Sequence, residues 1–285
     1  NDIFRRNVEH YFNAYARRLA QLATASPRPI IVGINGSQGS GKSTLSLYLS
    51  QIMPRLLGVD CHIISIDDFY LTRARRVKLA SAVHPLLAIR GVPGTHEHLR
   101  LAEVLAAVSD PDSKEVVVPV FDKLKDDRTK KVRKIQISAK PTVVLFEGWC
   151  VGIPPQTALS LAVPAGRFEF VNDNSGAWRT YVNDQLSGPY ASLFSTLDRL
   201  SMLRPPSFES VFDWRVDQEN RLVSNRQMRS TVEAPRGMSV REVREFVENF
   251  RRLTCHAMAV LPEVADETWD LQADRLILGE RTRHE

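Results

Sequence analysis

The chain has 285 residues, 43% of them hydrophobic and 25% charged, with a formal net charge of +5 at pH 7. These proportions sit near the globular average and argue against a disordered, fibrous or membrane-embedded chain, since no run of about 18 apolar residues exists to span a bilayer. The length favours a single large α/β domain with insertions over two ordinary domains. Cys61, Cys150 and Cys255 are widely separated and make neither a metal cluster nor a disulfide framework. The opening NDIFRRNVEHYF has no apolar core followed by a small-residue cleavage site, so no secretory signal is expected and a reducing, cytoplasmic setting is. RARRVK (73–78) and KLKDDRTKKVRK (123–134) are locally basic but lack the interleaved aromatics that stack bases. An anionic small molecule therefore fits the charge better than nucleic acid.

Taken in chain order, Ile3, Val8, Tyr11, Phe12, Tyr15, Leu19 and Leu22 lie along one face of a helix spanning 3 to about 25, which SPRP ends. PIIVGI (29–34) is short, apolar and β-branched, as a strand covered on both faces should be. It runs into GSQGSGKS (36–43), after which Leu45, Leu49, Ile52 and Met53 recur at helical spacing until Pro54 and Gly58. HIISI (62–66) is predicted as a second strand ending at DDFY, TVVLF (142–146) as a third ending at Glu147, and RFEFVN (167–172) as a fourth. The interval 69–140, about seventy residues with a helix over 96–108 and the turn SDPDS, is too long for one crossover and should cover the carboxyl ends of the strands. Ser239 and Glu242 form a capping-box pattern ahead of a long amphipathic helix carrying Val243, Phe246, Val247, Phe250 and Leu253. There is no internal repeat.

GSQGSGKS fits G-x-x-x-x-G-K-[ST] between a buried strand and an amphipathic helix, an arrangement that aims backbone N–H groups and a helix N-terminus at phosphates. Gly36, Ser37, Gln38, Gly39, Ser40, Gly41, Lys42, Ser43 and Thr44 are accordingly the candidate nucleotide cradle. Lys42 is placed to bridge β- and γ-phosphates, Ser43 to offer its hydroxyl to Mg²⁺, and Thr44 to reach the α-phosphate. Phosphoryl transfer to an alcohol also needs a metal ligand and an acceptor for the hydroxyl proton. Asp67, Asp68 and Glu147 stand at strand ends beside the loop, and a bare helix cap or turn is the alternative reading for any one of them. In an extended DD pair the side chains point opposite ways. Asp67 is therefore favoured as base, with Asp68 as a structural or metal-water partner.

SIDDFYLT, RGVPGTHEHL (90–99), PVFDKLKDDR (119–128), FEGWCVG (146–152), VND (182–184) and WRVDQE (214–219) together resemble the P-loop small-molecule kinases of the D-glycerate 3-kinase and yeast ATP-binding kinase-like family. Uridine kinase, phosphoribulokinase and pantothenate kinase are more distant kin. The resemblance implies an α/β P-loop kinase fold, mostly parallel in its sheet, with ATP and Mg²⁺ as cofactors and a hydroxyl acceptor. It carries Lys42 to catalysis, Asp67 to the base and metal shell, and Ser43 and Glu147 to the metal. On the acceptor side it points to Asp68, Tyr70, Arg90, His96, Lys123 and Arg128, although His96 as a helix cap and Arg128 as a solvated charge fit equally well. The same resemblance makes Arg215 a lid arginine within a lid over about 204–236, with a surface ion pair as its alternative; the apolar periodicity and the length make 1–28 an N-terminal helix on a single domain. Two departures bear on the acceptor: GTHE replaces the usual GTHD at Glu97, and Asp126 stands where a glycine is usual. The expected reaction is phosphorylation of a small anionic metabolite, D-glycerate first; a nucleoside, pantothenate or a sugar phosphate is the alternative, and an ATP-binding regulatory NTPase the rival from another class.

Overall fold

The structure is a computed structural model and describes residues 2–229 and 237–283. Among the described residues, five parallel strands and one antiparallel strand form the main sheet: β1 (Ile30–Gly36), β2 (Asp60–Ser65), β5 (Thr142–Gly148), β6 (Arg199–Arg204), β7 (Glu267–Leu271) and β8 (Ile277–Thr282). Their order is β2-β5-β1-β6-β7-β8, and the β7–β8 pair is the antiparallel one. Between β2 and β5, β3 (Glu115–Asp122) and β4 (Asp127–Gln136) make a separate antiparallel hairpin.

Period-two geometry divides the core between the two faces of this sheet. Ile30, Val32, Ile34, Val143 and Leu145 pack with Leu19 of the helix Asn13–Ala25 and with Leu45 and Leu49 of the helix Lys42–Ile52. Ile31, Val144 and Phe146 face the other way, onto Leu101 and Leu105 of the helix His98–Ser109 and Leu253 and Leu261 of the helix Arg251–Val264. Because both faces are covered, β1 and β5 are buried at every residue, which explains their unbroken apolar runs. Register completes the arrangement: Asn35 lies beside Gly148 and Ser65 beside Glu147, so three strands end on one line. The glycine loop, the turn after β2 and Glu147 therefore share the carboxyl edge where open α/β sheets bind ligands.

The predicted strand at 167–172 is instead a helix, Arg167–Asn172. The alternation of RFEFVN is misleading because its inward residue is acidic: Glu169 is buried in a 2.6 Å ion pair with Arg252, while Phe170 and Val171 are exposed. The fourth parallel strand is β6, on the free side of β1. Its RLSMLR sequence hides a short buried centre, Ser201 to Leu203, between charged ends. Residues 69–140 hold the helices Arg73–Ala82 and His98–Ser109 and the β3–β4 hairpin, with the basic segment running from the hairpin turn into β4. The capping box is present in full at Ser239 and Glu242, but the expected long helix is two, Val240–Glu248 and Arg251–Val264, with Asn249 and Phe250 between them. Of the expected lid, the helix Phe208–Arg229 is described, and 230–236 lie outside the described residues.

Candidate phosphoryl-transfer site

β1 delivers its chain into the loop at Gly36, and the loop turns through Gly39 (φ +78°) and Gly41 (φ +98°), left-handed values that favour glycine. At Gly39 a Cβ would lie 2.6 Å from the Cβ of Trp214, whereas at Gly41 it would meet nothing within 4 Å. The space over Gly41 is thus open at the start of the helix Lys42–Ile52, where a helix N-terminus concentrates unpaired N–H groups and positive potential. In the loop and at the end of β5, Ser37 Oγ, Gln38 Oε1, Ser40 Oγ and Glu147 Oε2 are buried polar atoms with no hydrogen-bond partner among the described residues. Ser43 Oγ donates to Glu147 Oε1 at 3.3 Å, and Lys42 Nζ stands 4.0 Å from Glu147 Oε2. The donor set is what a phosphate chain and a hard cation require: ammonium, hydroxyl, carboxylate and backbone N–H.

Asp67 and Asp68 sit in a single 3-10 turn, Ile66–Phe69, rather than in an extended strand. They nevertheless face different partners. Asp67 accepts 2.6 Å and 2.8 Å hydrogen bonds from Lys123 Nζ and Tyr70 OH, and Asp68 stands 3.8 Å from Arg133. Removal from bulk water alone would raise the Asp67 carboxyl, but the Lys123 and Lys42 ammonium groups outweigh it and hold the acid well below the usual carboxylate range. Asp68 moves the opposite way, raised by burial. Two adjacent acids thus shift in opposite directions: at Asp67 the two lysines and the hydrogen bonds from Lys123 and Tyr70 outweigh burial, whereas at Asp68 burial and the Asp67 charge outweigh Arg133 and Lys123.

On the acceptor side, His96 is buried with its ring stacked on Tyr70 at 4.5 Å, and burial pulls the imidazole down to about 4. Arg128 donates from Nε to the carbonyl of Tyr70 at 3.0 Å and forms an ion pair with Glu97, which Arg75 also engages. Arg90 pairs with Asp126 and lies over the Phe121 ring, its carbon 5.6 Å from the centroid. The two departures noted in the sequence, Glu97 and Asp126, are therefore the counter-ions of the two arginines expected to read the acceptor. Asp126 occupies a left-handed position (φ +52°), the conformation for which a glycine is the ordinary choice. Arg215 is engaged elsewhere, 2.9 Å from Glu219 and over the Phe246 ring.

A protein from Schizosaccharomyces pombe described as an uncharacterized kinase, mug58, is 36% identical over 231 residues, covering 78% of this chain and 79% of its own. The chain belongs to this kinase family. The chloroplastic D-glycerate 3-kinase of Arabidopsis thaliana is 27% identical over 234 residues, 78% of this chain and 46% of that protein. A solved structure of D-glycerate 3-kinase from Cryptococcus neoformans var. grubii superposes with a TM-score of 0.79 at 24% identity, over 95% of this chain and 99% of that one. No protein-family model matches the chain. It is an ATP-dependent small-molecule kinase with the P-loop kinase fold.

Apart from Trp214, which opens WRVDQE, the further walls of the kinase's crevice carry no motif. A cavity of about 310 Å³ opens beside the loop, walled by Phe4 and Phe12 from the N-terminal helices, Trp214 and Arg221 from the helix Phe208–Arg229, and Asp274 and Arg275 from the β7–β8 turn. Arg275 donates from Nε to the carbonyl of Gly39 at 2.6 Å and lies over the Trp214 ring. Trp214 is 2% exposed, as a core residue, yet also forms the floor on which the loop rests. Tyr190, whose oxygen is 2.6 Å from His96 Nδ1, has no sequence signal either. WRVDQENR, with its helical character, is the one available signal for the cavity wall.

Proposed function

We propose that this kinase transfers the γ-phosphoryl group of ATP to a hydroxyl of D-glycerate, giving 3-phosphoglycerate. The observation that carries the reading is the position of Asp67, on the same sheet edge as Lys42, Ser43 and Glu147 and at the mouth of an excursion built of its own helices and hairpin. A hydrolytic switch has no use for such an acceptor wall. The D-glycerate 3-kinases among the relatives support the choice of acceptor.

In this reading Gly36 through Thr44 hold the phosphates through backbone N–H groups, and Lys42 meets the charge on the β- and γ-phosphates. The purine side of the nucleotide lies in the cavity against Trp214 and Arg221. Ser43 and Glu147, with Asp67 beyond, would hold Mg²⁺, for which the buried, unpartnered Glu147 Oε2 leaves a coordinating lone pair. Bound Mg²⁺ supplies charge neutralisation of the phosphate oxygens. Asp67 accepts the hydroxyl proton at Oδ2 once Lys123 yields that oxygen to the acceptor; Tyr70 keeps Oδ1 and so fixes the carboxylate plane. His96, Arg90, Arg128 and Tyr70 surround the acceptor, and Asp68 shapes the turn. Arg215 serves as the lid arginine only if it leaves Glu219, a contact within a single helical turn.

A second reading has its own observation. Arg90, Arg128 and Lys123 each hold a carboxylate already, which favours a neutral acceptor such as a nucleoside. Titrating D-glycerate, L-glycerate, uridine and pantothenate side by side, with the phosphorylated atom located by phosphorus NMR, separates the two. Phosphate on the 3-hydroxyl of D-glycerate supports the first reading; turnover of uridine with inert glycerate supports the second.

A further inference from the structure

Tyr190 is fully buried in the helical segment Leu186–Tyr190 and belongs to none of the sequence motifs. Its oxygen accepts a 3.0 Å hydrogen bond from the backbone N–H of Gly94 and lies 2.6 Å from His96 Nδ1. Burial raises the phenol well above its ordinary value, so its single hydrogen stays in place and needs an acceptor. If Nδ1 carried the imidazole proton, it would donate to Tyr190, and the phenolic hydrogen would be buried with nothing to receive it. That tautomer leaves two buried polar groups unpaired, the phenolic hydrogen and the Nε2 lone pair, where the other leaves one. When the phenol donates to Nδ1 instead, Gly94, Tyr190 and Nδ1 are all satisfied at one oxygen.

The remaining proton of the neutral ring then resides on Nε2. That atom is buried and has no hydrogen-bond partner among the described residues. The ring is held face-on by Tyr70, whose own hydroxyl donates to Asp67, and Asp67 is the charged group that acts on the imidazole. The unpartnered N–H therefore belongs to a ring stacked on the same tyrosine that holds Asp67, the residue proposed to receive the hydroxyl proton.

We propose that Tyr190 is a positioning residue that locks His96 as the Nε2–H tautomer, so that the ring offers a hydrogen-bond donor to an oxygen of the acceptor. The inference rests on the acceptor-side reading of His96 given above. It restricts the acceptor to molecules that present an oxygen lone pair at this point, a hydroxyl or carboxylate, and rejects those that place an ammonium there.

Long-range proton–nitrogen correlation spectra of ¹⁵N-labelled protein, with the His96 signals assigned by their loss in His96→Gln, read the tautomer without any substrate. The expected result is the Nε2–H pattern in the wild type and its conversion to a mixture in Tyr190→Phe. In kinetics the same variant should raise the acceptor KM roughly tenfold, the loss of one well-placed hydrogen bond, with the ATP KM unchanged. An Nδ1–H pattern in the wild type, or an unaltered Nε2–H pattern in the variant, overturns the lock. A shifted tautomer with an unmoved acceptor KM overturns the donor role. The wild-type spectrum stands by itself should the variant not fold. A chain that turns over no alcohol would sink the proposed function, whereas the tautomer read from the spectrum would still hold or fail independently.

Discussion

Asp126→Gly is the most informative single change on the acceptor side. The aspartate sits at φ +52° and engages Arg76 and Arg90. Glycine relieves a left-handed backbone, worth about 1 kcal/mol. Against that, Arg76 loses a carboxylate but keeps hydrogen bonds to the carbonyls of Leu71, Ala88 and residue 126. Because the Asp126 side chain is 36% exposed, that loss is discounted to about 1–2 kcal/mol, and net stability should change by about 1 kcal/mol or less. Arg90 is meanwhile released. In the wild type an acceptor carboxylate must displace one carboxylate from the guanidinium to gain another; in the variant it meets an unpaired partner. A charge-assisted hydrogen bond of about 1.5 kcal/mol translates into roughly a tenfold lower KM for D-glycerate. The assay is coupled ADP release at saturating ATP, with D-glycerate and uridine titrated in parallel on both proteins. A D-glycerate KM that stays level or rises, in a folded variant with normal ATP KM, would refute Arg90 as the acceptor's anion seat.

Three further outcomes are expected. Asp67→Asn should keep ATP affinity, measured by calorimetry, while lowering turnover by roughly 10²- to 10⁴-fold, and Asp68→Asn should do less; the reverse ranking reassigns the base. Arg215→Ala should lower kcat by much more than it weakens ATP binding if the guanidinium meets transition-state charge, and equal losses, or none, leave it a structural ion pair with Glu219. Glu267 is pushed up to about 7 by burial, against the opposing pull of Arg18, with Glu280 and Asp266 adding to the rise. Its folded pKa exceeds the unfolded one, so its contribution is complete below about pH 4.5 and lost as pH climbs through 7. The wild type should therefore lose about 2 kcal/mol relative to Glu267→Gln between about pH 5 and 8 in urea titrations, and parallel pH curves for the two proteins would contradict this.

Most of the nucleotide side was legible because its signals are local. The loop is a contiguous string that continues β1, and the β-branched runs of β2 and β5 lead directly to Asp67 and Glu147. RFEFVN misleads because alternation cannot distinguish an outward-facing phenylalanine from an inward one when the buried residue is an ion-paired glutamate. β6 escapes notice because two arginines frame its short apolar centre. The cavity wall and Tyr190 are hidden for a different reason: Arg275 meets Gly39 across 236 positions and Tyr190 meets His96 across 94, and no periodicity encodes such contacts. Glu97 and Asp126 fall between these cases. Their departure from the family pattern is visible in the sequence, but that each neutralises an arginine is a property of the folded excursion alone.

Whether this chain spends ATP on an alcohol is tested most directly by ADP release with Mg²⁺·ATP, recorded with and without D-glycerate and with Lys42→Ala as control. Release should be negligible without an acceptor, rise severalfold or more with D-glycerate, and vanish in the variant. Hydrolysis that proceeds without an acceptor, at a rate unchanged by every alcohol offered, would rule out transfer to a hydroxyl as the chain's reaction.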